Sequence, residues 1–437
     1  MAQEILINAG AAEIRIATLE DGRLQGLATE TVLGDPLSRG KSRIGDILLG
    51  RVLKVVPAIQ AAFVDVGMER AGFLGQRETR VLALAGENAA DAPIETLVRE
   101  GEAIVVQIVK DPIGEKGARL SAGIALPGRL LVMTPLQPGI ALSRRIEDEA
   151  ERARLSALGK QILTEDADAL VPGAGFIFRT NAFGAAFDEL AAEAQKLAGT
   201  WRTVAAARNG AEPPDLLYRD LGPVERALRD LVGKDVARIV IDDAGALAAA
   251  AAYCREAMPE MEAHLFPFAG PGALFDTGDI ESDIEALSRP RVALQGGGWI
   301  TLEPTEALTA VDVNSGSFTG SNGVEDTSLA VNLEAAREIG RQVRLRGIGG
   351  VIVVDFIHMA DDGHAERVIA ALEDSLARDG KPVEVAPRSP FGLVEVTRKR
   401  VREPREKRIG EVCPTCCGSG RLRRAGAVGL DIVRGIE

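Results

Sequence analysis

Two apolar runs that each stop on an aspartate constrain this chain more than any other feature. Leu308 to Val311 ends at Asp312 and Val351 to Val354 ends at Asp355, inside a stretch that opens GGGWITLEPTEALTAVDVNSGSFTG and closes VIVVDFIHM. Between them Leu333, Ala336, Ile339, Gly340 and Val343 recur at helical spacing, with Arg337, Arg341 and Arg344 largely on other faces. A helix of this kind returns the chain so that the two strands lie as neighbours in one sheet. In open α/β sheets ligands collect at the carboxyl ends of strands, so two carboxylates there are a candidate metal site. Their oxygens suit Mg²⁺ or Mn²⁺, and Mg²⁺ takes one or two protein carboxylates and leaves its other positions to water and substrate phosphate. Asn314, two residues after Asp312, points to the same side of an extended strand. The other reading is a plain turn, which Asp, Asn, Ser and Gly all favour.

The chain has 437 residues, 46% hydrophobic and 26% charged, enough for several domains. No apolar run approaches the roughly 20 residues of a membrane span, and Glu4 interrupts an N-terminus without a basic start, so a cytoplasmic protein is expected. A net charge of −13 excludes a uniformly basic nucleic-acid binder, so contact with RNA must come from local basic patches. Four cysteines do not make a disulfide framework. Cys254 stands alone among alanines as a small buried hydrophobe, whereas Cys413, Cys416 and Cys417 are bunched.

From the N-terminus, EILINAG, AEIRIATL and LQGLATET read as strands, with a hairpin turn at Asp21-Gly22. GDPLSRGKS invites a phosphate loop, but Gly34 lies one residue too far from Gly40, Lys41 and Ser42 for that motif. Residues 41 to about 125 carry short β runs with glycines at the bends, the pattern of a small barrel. Between 126 and 220, Phe187, Leu190, Ala191, Ala194, Leu197 and Trp201 form one core stripe. Arg179 and Thr180 end a β run just before it, and an arginine with a hydroxyl partner makes a phosphate fork. The other reading pairs Arg179 with a local acid such as Asp188. In VARIVIDDAGALAAAAAY, Asp242 and Asp243 read as a helix cap and not as a metal pair.

TEALTAVDVNSG, NLEAAREIGRQVRLRGIGGVIVVDFI, GLVEVTRKR and CPTC, in this order, resemble the catalytic half of the ribonuclease E/G family of bacterial endoribonucleases. The resemblance implies an α/β multidomain fold. Residues 1–40 and 221–285 would form a ribonuclease-H-like domain, 41–125 an inserted OB-type RNA-binding barrel and 126–220 a sensor domain for a 5′-monophosphate. Residues 286–400 would form a deoxyribonuclease-I-like catalytic domain, and 401–437 a basic segment with a zinc-link. It implies that Asp312 and Asp355 hold the catalytic Mg²⁺ with help from Asn314, that Phe63 and Phe73 are exposed stacking aromatics, and that Lys116 is a basic contact. Gly128, Val132, Arg179 and Thr180 match the lining of the 5′ pocket. The family often has an aspartate where this chain has His358.

TRKRVREPREKR, directly after the catalytic segment, holds seven basic residues from Arg398 to Arg408 against Glu403 and Glu406, and is expected to approach the RNA backbone. One CPxC knuckle supplies two thiolates while structural zinc takes four ligands. The resemblance implies that two chains share one Zn²⁺ through Cys413 and Cys416, giving a homodimer or a tetramer built from it. The family commonly continues with a further oligomerisation domain, which is expected to be absent here. The expected activity is Mg²⁺-dependent cleavage of single-stranded RNA in rRNA and tRNA processing and mRNA decay, stimulated by 5′-monophosphate ends. The alternative is a non-catalytic RNA-binding or ribosome-assembly factor that retains the fold.

Overall fold

Asp21 and Gly22 both adopt positive φ, 49° and 77°, the left-handed pair that a tight hairpin requires. They join β2 (Glu13–Glu20) to β3 (Arg23–Thr31), and β2 also pairs antiparallel with β1 (Gln3–Ala9). The computed structural model describes residues 1–437 apart from 1, 2, 32–42, 83–91, 113–115, 166–169, 234, 317–322, 379, 380, 401, 402, 417, 419 and 437. The stretch from Gly34 to Ser42, Arg402 and Cys417 therefore lie outside the described residues. Two compact units are present, Met1–Phe275 and Asp276–Glu437.

In the first unit, β4 (Ile47–Val56), β5 (Ala61–Asp65), β6 (Gly72–Gly75), β7 (Ala103–Lys110) and β8 (Arg119–Ser121) close on themselves, since β4 pairs with both β5 and β7. Alternation puts Val52, Val64, Leu74, Val106 and Leu120 inside this small barrel. Next, β9 (Leu126–Pro127), β10 (Leu131–Thr134), β11 (Gly139–Leu142) and β12 (Gly175–Phe178) form a sheet in the order β11-β12-β10-β9. The helix Phe187–Arg208 buries Leu190, Ala191, Ala194 and Leu197 in the core beside it, with Phe187 and Trp201 partly buried, as its periodicity predicts.

The strand β13 (Asp215–Tyr218) returns to pair with β4, so the barrel sheet recruits a strand from far along the chain. Then β14 (Val236–Ile241) and β15 (Leu265–Pro267) add in parallel to the first hairpin, giving the order β15-β14-β1-β2-β3. Asp243 caps the helix Ala244–Ala257 by accepting from the Ala246 N–H at 2.7 Å. Asp242 accepts from the Ala9 N–H and from Asn8, so the acidic pair is structural. Cys254 is fully buried, and burial pushes its thiol up to about 11.

The second unit is one sheet of β16 (Arg291–Ala293), β17 (Trp299–Pro304), β18 (Leu308–Asn314), β19 (Gly350–Asp355), β20 (Val383–Val385) and β21 (Val394–Arg398), in the order β16-β17-β18-β19-β21-β20. The helix Val324–Arg346 carries the chain from β18 to the parallel β19, the connection that parallel neighbours need. Its Ala336, Ile339 and Val343 are buried. A Cβ on Gly340 would meet Ser375 Oγ at 2.1 Å and the Ser375 backbone carbon at 2.9 Å, so only glycine lets the helix Asp362–Ala377 pack so closely. Thr309, Val311 and Val313 of β18 and Ile352 and Val354 of β19 are buried on one face of the sheet. Asp312, Val351 and Asp355 stand exposed on the other. Among the described residues no helix is long and apolar enough to cross a membrane.

Candidate functional site

Asp312 and Asp355 are direct partners in the β18–β19 register, side by side on the exposed face. Neighbouring strands lie about 4.8 Å apart, so the two carboxylates can reach a common point. Both Asp312 and Asn314 belong to β18 itself, and the turn begins only at Ser315 and Gly316. Asn314 Nδ2 donates to Asp312 Oδ2 at 2.6 Å and fixes that carboxylate. Among the described residues neither carboxylate has a cationic partner, and two like charges side by side favour any cation that comes between them. No group of three or more His, Cys, Asp or Glu side chains forms a ready-made cage among the described residues. A pair of hard oxygen donors that leaves most positions free fits Mg²⁺ or Mn²⁺ rather than a metal needing a full protein shell.

The loop that follows Asp355 is held from the crossover helix. Asn332 is fully buried; its Nδ2 donates to the Ile357 carbonyl at 2.8 Å and its Oδ1 accepts from the Ile357 N–H at 3.0 Å. Glu325 accepts from Ala360 N, Asp361 N and His364 Nδ1, and the bond from Ala360 followed by that from His364 holds its carboxyl below the usual range. His358 lies exposed between these anchors. Sequence reasoning passed over Asn332, although a polar residue at a core-facing helical position must find partners. On the other flank, Arg291 lies over the Trp299 ring at 3.8 Å, and Trp299 is the register partner of Asn314.

On the barrel, registers place Lys54, Phe63, Phe73 and Arg119 in one row across four strands. Phe63 and Phe73 are half-buried and meet edge to face, centroids 6.1 Å apart at 79°, so the expected exposure of both rings is only partial. Lys54 and Arg119 are exposed, with Arg119 paired to Glu78. Lys116 is also exposed.

Arg179 is already engaged. Its Nη1 donates to the Gly128 carbonyl at 2.5 Å and its Nη2 to Asp230 Oδ1 at 2.8 Å. The acid it meets is thus on the helix Pro223–Leu231, and Asp188 is not that partner. Burial works to raise Asp230, but the bond and charge of Arg229, with Arg179 behind them, outweigh it and leave the carboxyl below its ordinary value. Thr180 Oγ1 lies 3.2 Å from Ser143 Oγ, and Val132 is half-buried in β10. A Cβ on Gly128 would strike the Glu193 carboxylate at 2.7 Å, and that carboxylate accepts from the N–H groups of Arg129, Leu130 and Leu131. Glycine at 128 is what leaves room for this link.

Cys413 is exposed and Cys416 half-buried. N–H donors from Cys416, then Thr415, draw the Cys413 thiol below its ordinary value. The basic run is not uniformly available to RNA. Arg398 is buried and donates to the Ile348 carbonyl, and Arg400 donates to the Gly349 carbonyl, so both tie down the start of β19.

The sequence model of the Ribonuclease E/G family matches residues 125–401. Ribonuclease G of Escherichia coli is 37% identical over 441 residues, which cover 100% of this chain and 88% of that protein. Ribonuclease G of Haemophilus influenzae is likewise 37% identical over 440 residues, covering 100% of this chain and 87% of its own. Ribonuclease E of Nostoc sp. is 38% identical over 392 residues, which span 89% of this chain and 56% of that longer protein.

Proposed function

The chain belongs to the ribonuclease E/G family and is an endoribonuclease, and we propose that it hydrolyses single-stranded RNA at the Asp312–Asp355 pair with Mg²⁺ or Mn²⁺. The observation that carries this reading is the in-register placement of two uncompensated carboxylates on an exposed sheet face. A divalent cation bound there supplies charge neutralisation at the scissile phosphate and lowers the pKa of water. Asp312 and Asp355 would hold that cation, with Asn314 fixing the Asp312 carboxylate by donating to its Oδ2. Asn332 keeps the backbone after Asp355 from drifting. In the net reaction the oxygen of water bonds to phosphorus as the bond to the 3′-oxygen breaks. The 3′-oxygen takes up a proton, leaving 3′-hydroxyl and 5′-phosphate ends. The non-catalytic alternative does not apply to an endoribonuclease.

The row of Lys54, Phe63, Phe73 and Arg119, with Lys116 nearby, is suited to hold the single strand, rings stacking on bases and cations meeting phosphates. Arg179 and Thr180 beside Gly128 and Val132 take a 5′-monophosphate, so the domains keep the roles that the family implies, with β13 transferred to the barrel. Two chains share one Zn²⁺ through Cys413 and Cys416, in a cytoplasmic homodimer or tetramer.

A short unstructured RNA incubated with the protein tests the chemistry. Cleavage should need Mg²⁺ or Mn²⁺, stop with EDTA and return with added metal, and cleavage that persists in EDTA would overturn the metal assignment. Metal analysis should find one zinc per two chains, and Cys413→Ser should lose both zinc and dimeric mass; a variant that keeps both refutes the shared site.

A further inference from the structure

Beside Asp355 a cleft of about 150 Å³ is lined by His358, Arg388, Phe391, Gly392 and Val394. Phe391 is 89% exposed, against 50% for Phe183 and 42% for Phe266. An aromatic ring left in water forgoes the stabilisation of burial, so one held there by rigid backbone calls for an occupant. The backbone is rigid here. Ser389 N–H donates to the Leu393 carbonyl at 2.8 Å, Gly392 N–H to the Ser389 carbonyl at 2.9 Å, and Leu393 N–H to Ser389 Oγ at 3.1 Å. Gly392 turns the chain at φ +87°, where a side chain is disfavoured. Phe391 therefore sits at the tip of a hydrogen-bonded turn between β20 and β21.

Next to the ring, among the described residues Arg388 has only a long contact, 4.0 Å, with Asp362, whose own side chain is 98% exposed. Such a pair is weak and readily exchanged for a phosphate. The opposite flank differs, because there Arg291 already lies over the half-buried Trp299 ring, so neither group is left without a partner. A bare aromatic face, a loosely held arginine and an exposed imidazole around a cleft of this size match one nucleobase and its adjoining phosphate. They do not match a protein partner, since one ring is far short of the several hundred Å² of such a patch.

We propose that Phe391 and Arg388 form a nucleotide subsite beside Asp355, where Phe391 stacks on one base next to the scissile phosphate and Arg388 meets a neighbouring phosphate. The proposal rests on cleavage occurring at the aspartate pair. Stacking tolerates any base, so the subsite fixes the position of the strand rather than its sequence. Losing the stack removes binding along one nucleotide only.

The test is an abasic scan. One RNA with a single cleavage site is made with an abasic nucleotide at each position in turn, and kcat/KM is measured for the full chain and for Phe391→Ala and Phe391→Trp. In the unmodified protein one position flanking the cut should lose roughly five- to a hundredfold. Phe391→Ala should lose a similar factor on intact RNA and become indifferent to the abasic nucleotide there alone, while Phe391→Trp restores both. Anisotropy of the same RNAs without divalent ion should show the same positional pattern in affinity, which separates the subsite from the metal assignment. The proposal is overturned if Phe391→Ala cleaves intact RNA like the parent, if it stays sensitive to every abasic position, or if its defect tracks a changed oligomeric mass.

Discussion

The aspartate pair and the arginine pocket are both charged sites, yet they are built on opposite principles. Asp312 and Asp355 lie side by side with no cation near them among the described residues, so the protein carries uncompensated negative charge on an exposed sheet face. Arg179, by contrast, is neutralised by Asp230, which is itself gripped by Arg229, and Arg229 in turn lies 3.5 Å from Asp220. Burial lifts Asp220 above its ordinary value, with the pull of Arg229 opposing it. The first site gains a ligand without losing an internal contact. A phosphate at the second would have to exchange one, in competition with a carboxylate already in place. Chemistry that needs a tightly held metal suits the first arrangement, and discrimination between similar chain ends suits the second.

Removing a ligand from the uncompensated site should be close to all or none. Asp312→Asn or Asp355→Asn is expected to lower the cleavage rate by about a thousandfold or more, the equivalent of several kcal/mol of metal assistance. RNA affinity should change little if, as proposed, the strand is held mainly on the barrel and along the basic segment. Rate and affinity measured on one oligonucleotide check this; full activity in either variant at low millimolar Mg²⁺ would end the assignment.

Asn332 tests whether the open site owes its order to a buried support. Asn332→Leu leaves the Ile357 N–H and carbonyl unpaired, at about 1–3 kcal/mol for each orphaned group. Thermal or denaturant unfolding should show a loss of roughly 2–4 kcal/mol, together with slower cleavage in the surviving folded protein. Unchanged stability would mean that water replaces the amide and that the loop is not held from the helix.

What the sequence makes legible here is period, and what it hides is partnership. The strand ends at Asp312 and Asp355, the stripe from Phe187 to Trp201, the Asp21-Gly22 turn and the Asp243 cap all follow from local spacing and were readable. The partner of Arg179 was not, because Asp230 is 51 residues away and reaches it only when two elements pack. The same holds for β13 on β4, for Lys54 and Arg119 flanking the two rings, and for Asn332 beneath Ile357. Arg398 shows the converse: a basic run suggests a solvated face, yet β-alternation turns that residue inward to the Ile348 carbonyl.

At the compensated site the direct loss is that of the fork. Arg179→Ala should cut the preference for 5′-monophosphate over 5′-hydroxyl RNA by roughly ten- to a hundredfold, since a charged hydrogen bond is worth about 1.5 to 3 kcal/mol. Cleavage itself should continue. Equal rates on the two RNAs in the unmodified protein would remove the sensing role altogether.

The smallest change should come from Asp230→Asn, and its sign decides what the acid does. The amide keeps an oxygen to accept from Arg179 Nη2, so the fork keeps its place while the competing charge disappears. Arg229 retains Asp220 as a partner, which limits disruption. A unit charge a few ångström from a phosphate in a wet pocket is worth about 1 kcal/mol, so selectivity for the monophosphate should rise roughly two- to fivefold. Stability carries a second signature. Asp230 titrates below its ordinary value in the folded protein, so its contribution is complete above the ordinary carboxylate range and fades as the pH falls through the lowered value. Asp230→Asn should therefore flatten the acid limb of the stability profile while improving end selectivity at neutral pH. If selectivity instead falls as far as it does in Arg179→Ala, Asp230 is the brace that aims the arginine, and the contrast between a competing and an open site fails.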